Sequence, residues 1–454
     1  MARVCVVCIL IVWCCQAACP AACPAAETGQ LERLRQDNDA LRQRVETLER
    51  SLAETRAIVD RLTEAVALTV AEQAAPAAAP AASAPPAAPL TVESLAPPPP
   101  PRLQIYGNVE LDFAWDLDRN QLGEPEPDPL ENTTFDLSPR PSRLGARFHL
   151  PGPAGSAVTG RVETDFVTAS GTENSPNLRL RHAYTEIAWA DSGFSLLGGQ
   201  TDDIIAPLQT DTIDYPTELW PGDVGYRRPI LRVCQTFGSD STRRFTLEGA
   251  VAKVTGLIED NPAAPVASTV RMPAVQARAA GTWPLFGGHG STFGVWGHFG
   301  SKNYHLNPAG DQVQLTSWSV GMDADIWLTP QLEIMSEFWR GVTMDTYYWA
   351  DQIEVLPGGS AYRSVDSMGG WATLTWRQSP ALRFNLGAGF HDPADHKLDG
   401  AEEFTHIVSY FGNFFYDFDD HWEVGLEFSW WHAAQLDGSD HSKRRFGGTF
   451  LYRF

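Results

Sequence analysis

From residue 103 the chain alternates apolar and polar positions. In Leu103 to Trp115, Ile105, Val109, Leu111, Phe113 and Trp115 share one face, and Asn108, Glu110 and Asp112 share the other. That pattern predicts a strand with one apolar and one wet face. It recurs. Leu144, Ala146, Phe148 and Leu150 oppose Arg143, Arg147 and His149; Val158 and Val162 oppose Arg161, Glu163 and Asp165. Val320, Met322 and Ile326 oppose Ser319, Asp323 and Asp325, and Val424, Leu426 and Phe428 oppose Glu423, Glu427 and Ser429. Short turns at 151–157, 190–193, 238–242, 284–291, 329–331, 378–381 and 417–421 alternate with long segments such as 117–141, 202–225, 255–271 and 341–360. One alternating strand would also suit a soluble sandwich. Short turns at one rim and long loops at the other predict instead a closed transmembrane β-barrel of about sixteen antiparallel strands over 102–454. The irregular polarity of 178–197 leaves that count open by two. Trp115, Phe166, Trp283, Trp376, Phe390, Trp422 and Trp430 fall near strand ends on the apolar face, where interfacial girdles form. Phe446, Phe450, Tyr452 and Phe454 alternate along the last strand. Tyr452 and Phe454 resemble the C-terminal signal read by the barrel-assembly machinery, an expected partner.

A different period governs the residues before the barrel. From Leu31, apolar positions step by three and four, with Leu31, Asn38, Val45, Leu52, Val59 and Val66 at a and Leu34, Leu41, Leu48, Thr55, Leu62 and Thr69 at d. This predicts a coiled coil over 27–73, with Asn38 fixing register. Arg44, Val45, Leu48 and Glu49 resemble the motif of trimeric coils, in which an Arg fork pairs with a carboxylate on the next helix. Three chains are favoured, while Val and Leu at a and d alone would admit a dimer. Residues 74–101 are mostly Ala and Pro and predict an extended spacer of about 3.1 Å per residue, reaching into the periplasm or serving as a plain linker. Residues 1–26 carry Arg3, an apolar run from Val4 to Trp13 and small-residue cleavage sites, the pattern of a secretory signal. Cys19 and Cys23 each follow two alanines, but neither has the upstream residue usual for lipidation.

Charge adds a question about selectivity. The chain holds 56 acidic and 34 basic residues, a formal net charge of −22, which alone would draw cations to a pore mouth. The barrel lysines are only Lys253, Lys302, Lys397 and Lys443. Arginines recur on wet faces: Arg143, Arg147, Arg161, Arg179, Arg181, Arg228, Arg232, Arg383 and Arg445. A ladder of such forks lining a lumen would select anions; the plainer alternative pairs them with inward acids such as Glu163 and Asp165, bracing the wall. The long segment 202–225 either folds inward to narrow the pore or stays external. Six of the seven cysteines lie in residues 1–26, leaving only Cys234 in the body, so a disulfide framework is excluded. His149, His182, His298, His391 and His406 show no nucleophile–base–orienter spacing, and no metal, cofactor, nucleotide or nucleic-acid signature is evident. The chain is therefore read as a non-enzyme. A structural anchor, tied to the periplasm by the coil, is the rival to a channel.

Several stretches resemble the DcaP-like trimeric outer-membrane porins: Ile105-Tyr106-Gly107-Asn108-Val109-Glu110-Leu111-Asp112, Ser142-Arg143-Leu144-Gly145, Gly160-Arg161-Val162-Glu163-Thr164-Asp165-Phe166, Arg179-Leu180-Arg181-His182-Ala183-Tyr184, Gly198-Gly199-Gln200-Thr201, and Gly222-Asp223-Val224-Gly225 with Arg227 and Arg228. The similarity is densest over 103–235. It implies a homotrimeric outer-membrane channel, with a coiled coil ahead of the barrel, that takes up small anions, dicarboxylates among them. The Ala/Pro spacer and the acidic net charge depart from that pattern.

Overall fold

A computed structural model describes residues 102–454 except 118–133, 168–170, 173–174, 214–220, 241–242, 255–271, 287–288, 306–311, 345–352, 356–361, 396–397 and 399–403. The signal segment, the spacer and the coil, with its interface residues Leu34, Asn38, Leu41, Arg44, Val45, Leu48, Glu49 and Leu52, lie outside the described residues.

Sixteen antiparallel strands close into one barrel. They are β1 (Arg102–Asp116), β2 in two pieces (Thr134–Ser138 and Arg143–Pro151), β3 (Ala157–Asp165), β4 (Arg179–Trp189), β5 (Phe194–Asp202), β6 (Arg227–Asp240), β7 (Arg243–Ala252) and β8 (Met272–Pro284). There follow β9 (Gly290–His305), β10 (Gln312–Thr329), β11 (Leu332–Val342), β12 (Asp366–Ser379), β13 (Leu382–Pro393), β14 (Phe404–Asp417), β15 (Trp422–Gln435) and β16 (Asp440–Arg453). Each strand pairs with the next. The ring closes where β1 meets β16, from Asn108 opposite Arg453 to Asp116 opposite Arg445. Closure leaves no strand edge unpaired, which a lipid environment demands because it supplies no hydrogen bonds. Backbone bonds between Gly107 and Phe454 extend the seam to the last residue. The seven short turns named above fall at the rim where β1 begins and β16 ends; the long connections, and the tight turn 436–439, fall at the other.

The alternation is realised side chain by side chain. Leu103, Ile105, Val109, Val295, Phe299 and Leu386 stand exposed on the outer wall, as do Trp115, Trp283, Trp376, Trp422 and Trp430 near its edges. An apolar surface so large is a liability in water and a lipid-facing band in a bilayer. No helix among the described residues is long and apolar enough to cross a membrane, which says nothing of strands.

The irregular stretch has a local cause. Glu163 of β3 pairs with His182 of β4, but the next residue, Thr164, pairs with Leu180. Arg181 is the extra residue of a β-bulge. Arg181 and His182 consequently both turn inward and are buried, and the inward parity of β4 switches there from odd to even. A bulge re-aims side chains in this way, and a sequence read for strict alternation misses it.

Candidate functional site: the lumen and its inward loop

The connection from β5 to β6 enters the barrel. Its neck is closed by Asp203 N donating to Tyr226 O at 2.9 Å. The Asp203 carboxylate accepts from Arg228 Nε at 2.9 Å, Gln276 Nε2 at 2.5 Å and Tyr226 N at 3.0 Å. Past the neck, Ile204 packs with Leu197, Ile230, Ala250 and Ala252. Ile205 and Val224 pack with Trp296, Trp339, Ile407 and Trp431. These are inward residues of strands whose inner face should be wet. They are apolar because the loop covers them and removes their surface from water.

Polar latches carry the loop across to the far wall. Leu208 N donates to Glu337 Oε1 at 2.8 Å. Asp211 meets Arg383 at 2.8 Å, and its carbonyl accepts from Asn413 Nδ2 at 2.8 Å. Glu427 accepts from Thr212 Oγ1 at 2.8 Å, Ile213 N at 3.0 Å and Asn413 Nδ2 at 2.8 Å. On the return arm, Trp339 Nε1 donates to Gly222 O at 2.6 Å. Gly222 has φ +121°, and a Cβ there would sit 2.2–2.6 Å from backbone atoms of Phe390 and Gly370. Only glycine lets the loop approach this closely. Burial and the neighbouring Glu337 carboxylate push Asp223 well above the usual carboxylate range. Of the two placements the sequence left open for 202–225, the described residues 203–213 and 221–225 take the inward one. Beyond its root, the described contacts of the loop fall on β8, β9 and β11–β16.

The opposite wall, β2–β4, which the described residues of the loop tip do not reach, carries the arginines. At mid-height, Glu163 takes Arg161 Nη2 at 2.5 Å and Arg181 Nε at 2.8 Å. Asp165 takes Arg181 Nη1 at 2.8 Å and a two-pronged contact from Arg179 at 2.7 and 2.9 Å. Tyr106 OH donates to Glu163 at 2.8 Å and accepts from Arg161 Nε at 2.7 Å. Arg147 lies over the Tyr106 ring, 4.3 Å from its centroid. Arg143 and Arg147 are exposed, and among the described residues neither makes an ion pair within 4.0 Å. Three guanidinium groups thus share two carboxylates, and Arg143 and Arg147 stand beside them, with Glu110 of β1 the next acid in reach of Arg143. Shared carboxylates hold the forks in fixed geometry, and the surplus charge faces the lumen.

The other expected arginines do different work. Arg228 is fully buried against Asp203; it braces the loop neck behind the lumen surface and does not line it. Arg383 is spent on Asp211, Glu423 and Asp417 at 2.8, 2.7 and 3.2 Å. Arg232 lies 3.7 Å from Glu186 and 3.9 Å from Glu248, and Arg445 grips Asp116 at 2.5 Å. Wall bracing by inward acids, the alternative to a selective ladder, therefore describes these four. Residues missed from sequence include Tyr106, Arg278, Glu337, Trp339, Asn413 and Glu427. For Tyr106 and Trp339 a signal existed: each is a large aromatic standing on the polar phase of its strand. Among the histidines, His298 sits between Ser317 and Ser319 at 2.8 and 2.6 Å, His182 lies 3.1 Å from Thr201 Oγ1, and His391 stacks on Trp339. Among the described residues no group of three or more His, Cys, Asp or Glu could hold a metal ion.

No protein-family model matches the chain, and no curated protein matches it. Solved structures do. The outer-membrane channel DcaP of Acinetobacter baumannii aligns over 78% of this chain and 98% of its own, with TM-score 0.64 and 20% identity. An anion-selective porin from Comamonas acidovorans aligns over 78% and 100%, with TM-score 0.51 and 9% identity. OprB of Pseudomonas putida aligns over 78% and 94%, with TM-score 0.51 and 8% identity. The chain therefore has the closed sixteen-stranded barrel of the outer-membrane porins, in the form seen in the DcaP channel.

Proposed function

We propose that this chain is an outer-membrane porin of the DcaP-like kind, a passive diffusion channel for small hydrophilic solutes that favours small anions such as dicarboxylates. The observation that carries the proposal is the asymmetry of the lumen. The loop covers one side, and the side away from it presents five arginines, three of which share two carboxylates. A sixteen-stranded barrel is wide enough for an aqueous path. Charge lining a narrow path selects by sign, and a lumen walled by low-dielectric protein focuses the field. The negative total charge is compatible with this, because at physiological ionic strength a screening length of about 8 Å limits distant acids more than wall arginines. The porin from Comamonas acidovorans, described as anion-selective, supports the reading by its shared fold. Assembly as a homotrimer, with the coil on the periplasmic side, completes the proposal. It rests on the heptads of 27–73 and on the resemblance.

The test is the reversal potential in a potassium chloride gradient across a planar bilayer. The intact protein is expected to prefer chloride, and Arg143→Ala with Arg147→Ala to move the potential toward cations. An unchanged potential in the double variant contradicts anion selection by this wall.

A further inference from the structure

We propose that Tyr106, seated on Gly145, is the positioning residue that sets the spacing of the lumen arginines. The inference rests on the channel reading above and names the device that tunes it.

Tyr106 lies on the wet face of β1, in phase with Asn108 and Glu110. In register it stands opposite Gly145 of β2, and Gly145 in turn stands opposite Glu163 of β3. The three form one row across the inner wall. A Cβ on Gly145 would fall 2.5, 2.6 and 2.9 Å from the Cζ, hydroxyl oxygen and Cε1 of Tyr106. The ring therefore lies flat across the neighbouring strand, in space that only glycine leaves. An aromatic covering a glycine on the next strand is a recognised way of pinning register. Here it also carries the hydroxyl as far as β3.

Two consequences follow for charge. At its far end the hydroxyl accepts from Arg161 Nε at 2.7 Å and donates to Glu163 at 2.8 Å, so it satisfies one nitrogen of Arg161 and one lone pair of Glu163. On its lumen face the ring holds the Arg147 guanidinium at 4.3 Å, within the range of a cation–π contact. One side chain thus holds two guanidinium groups apart and turned toward the lumen. Without it, Glu163 has a free lone pair with two mobile arginines nearby. Arg161, already on Glu163 through Nη2, loses its Nε partner and swings further onto it, Arg147 is released from the ring toward the same carboxylate, and the charge presented to a passing anion falls.

Three variants separate the parts. Tyr106→Phe keeps the ring over Gly145 and the Arg147 stack but deletes the hydroxyl. Tyr106→Leu removes both. Gly145→Ala keeps the tyrosine and displaces its ring. Each is reconstituted in planar bilayers after heat-dependent gel mobility has shown a folded barrel, and the chloride-to-potassium permeability ratio is read from reversal potentials. The expected result is a partial loss of anion preference in Tyr106→Phe and a larger loss in Tyr106→Leu. Gly145→Ala matches Tyr106→Leu, with open-channel conductance retained throughout. Wild-type ratios in Tyr106→Leu and Gly145→Ala overturn the inference while leaving the channel reading standing. If the wild type shows no anion preference, the selectivity reading falls separately; positioning by Tyr106 then still requires these variants to move the ratio toward cations. If Tyr106→Leu fails to fold, the near-isosteric Tyr106→Phe decides.

Discussion

The two sides of one lumen follow the same alternation and end in opposite states. On β2–β4 many inward residues are charged: Glu163, Asp165 and Arg181 are buried against one another, and Arg143 and Arg147 are exposed. On β8, β9 and β11–β15 many inward residues are apolar, and Trp296, Trp339, Ile407, Trp431 and Ala433 are buried beneath a loop. The polar residues there, Glu337, Asn385, Asn413 and Glu427, serve as anchors for that loop. Inward is therefore not the same as wet. What an inner residue contributes depends on whether the loop covers it: in the proposed channel, covered residues supply stability and shape, and open ones supply selectivity.

The comparison is sharpest for two arginines of the same predicted kind. Arg228→Ala leaves the Asp203 carboxylate buried without its cation, which costs about 3–5 kcal/mol. The expected outcome is a lower urea midpoint for barrel unfolding and a noisier channel, with the reversal potential little moved. Trp339→Ala opens a cavity beneath the return arm and removes the bond to Gly222, a loss on the order of 3–5 kcal/mol. Single-channel conductance should rise as the loop lifts. Glu427→Ala deletes a carboxylate that accepts three hydrogen bonds, and charged hydrogen bonds are worth about 1.5–3 kcal/mol each. It frees the loop tip but not its root, so conductance should fluctuate between two levels. Arg143→Ala lies at the other extreme. Its guanidinium faces water without an ion pair among the described residues, so stability should change by less than about 0.5 kcal/mol, while the reversal potential moves. Arg143→Ala destabilising the barrel as much as Arg228→Ala would break the comparison.

A pH dependence follows on the covered side. Asp223 is held well above its ordinary range by burial and by Glu337, so the docked loop binds a proton more tightly than the released loop. Docking is then favoured most below the ordinary Asp range and weakens as pH rises through the raised value. Conductance noise should grow toward alkaline pH, and Asp223→Asn should remove that growth.

Much of this was legible in the chain. Strand alternation with turn spacing led to a sixteen-strand barrel, because a half-buried strand must repeat every two residues. Two features escaped for physical reasons. The Arg181 bulge adds one residue, and no local composition marks where a register slips. The inward loop changes what the inner face must be, so a rule that equates inner with polar treats Trp339 and Trp431 as exceptions. Those out-of-phase aromatics, with Tyr106, were the available signal for a covered or braced wall. The arginines recur on the wet phase of their strands, but which of them face water depends on contacts between strands far apart in sequence. Arg228 and Arg143 look alike until Asp203 is placed beside one of them.

Beneath all of this is the claim that a water-filled path runs past the loop along β2–β4. Current through the purified protein in a planar bilayer measures it directly. Stepwise openings whose size scales with bulk salt conductivity are the predicted result. A correctly folded, inserted barrel that passes no current would contradict the account and leave a plugged outer-membrane anchor in its place.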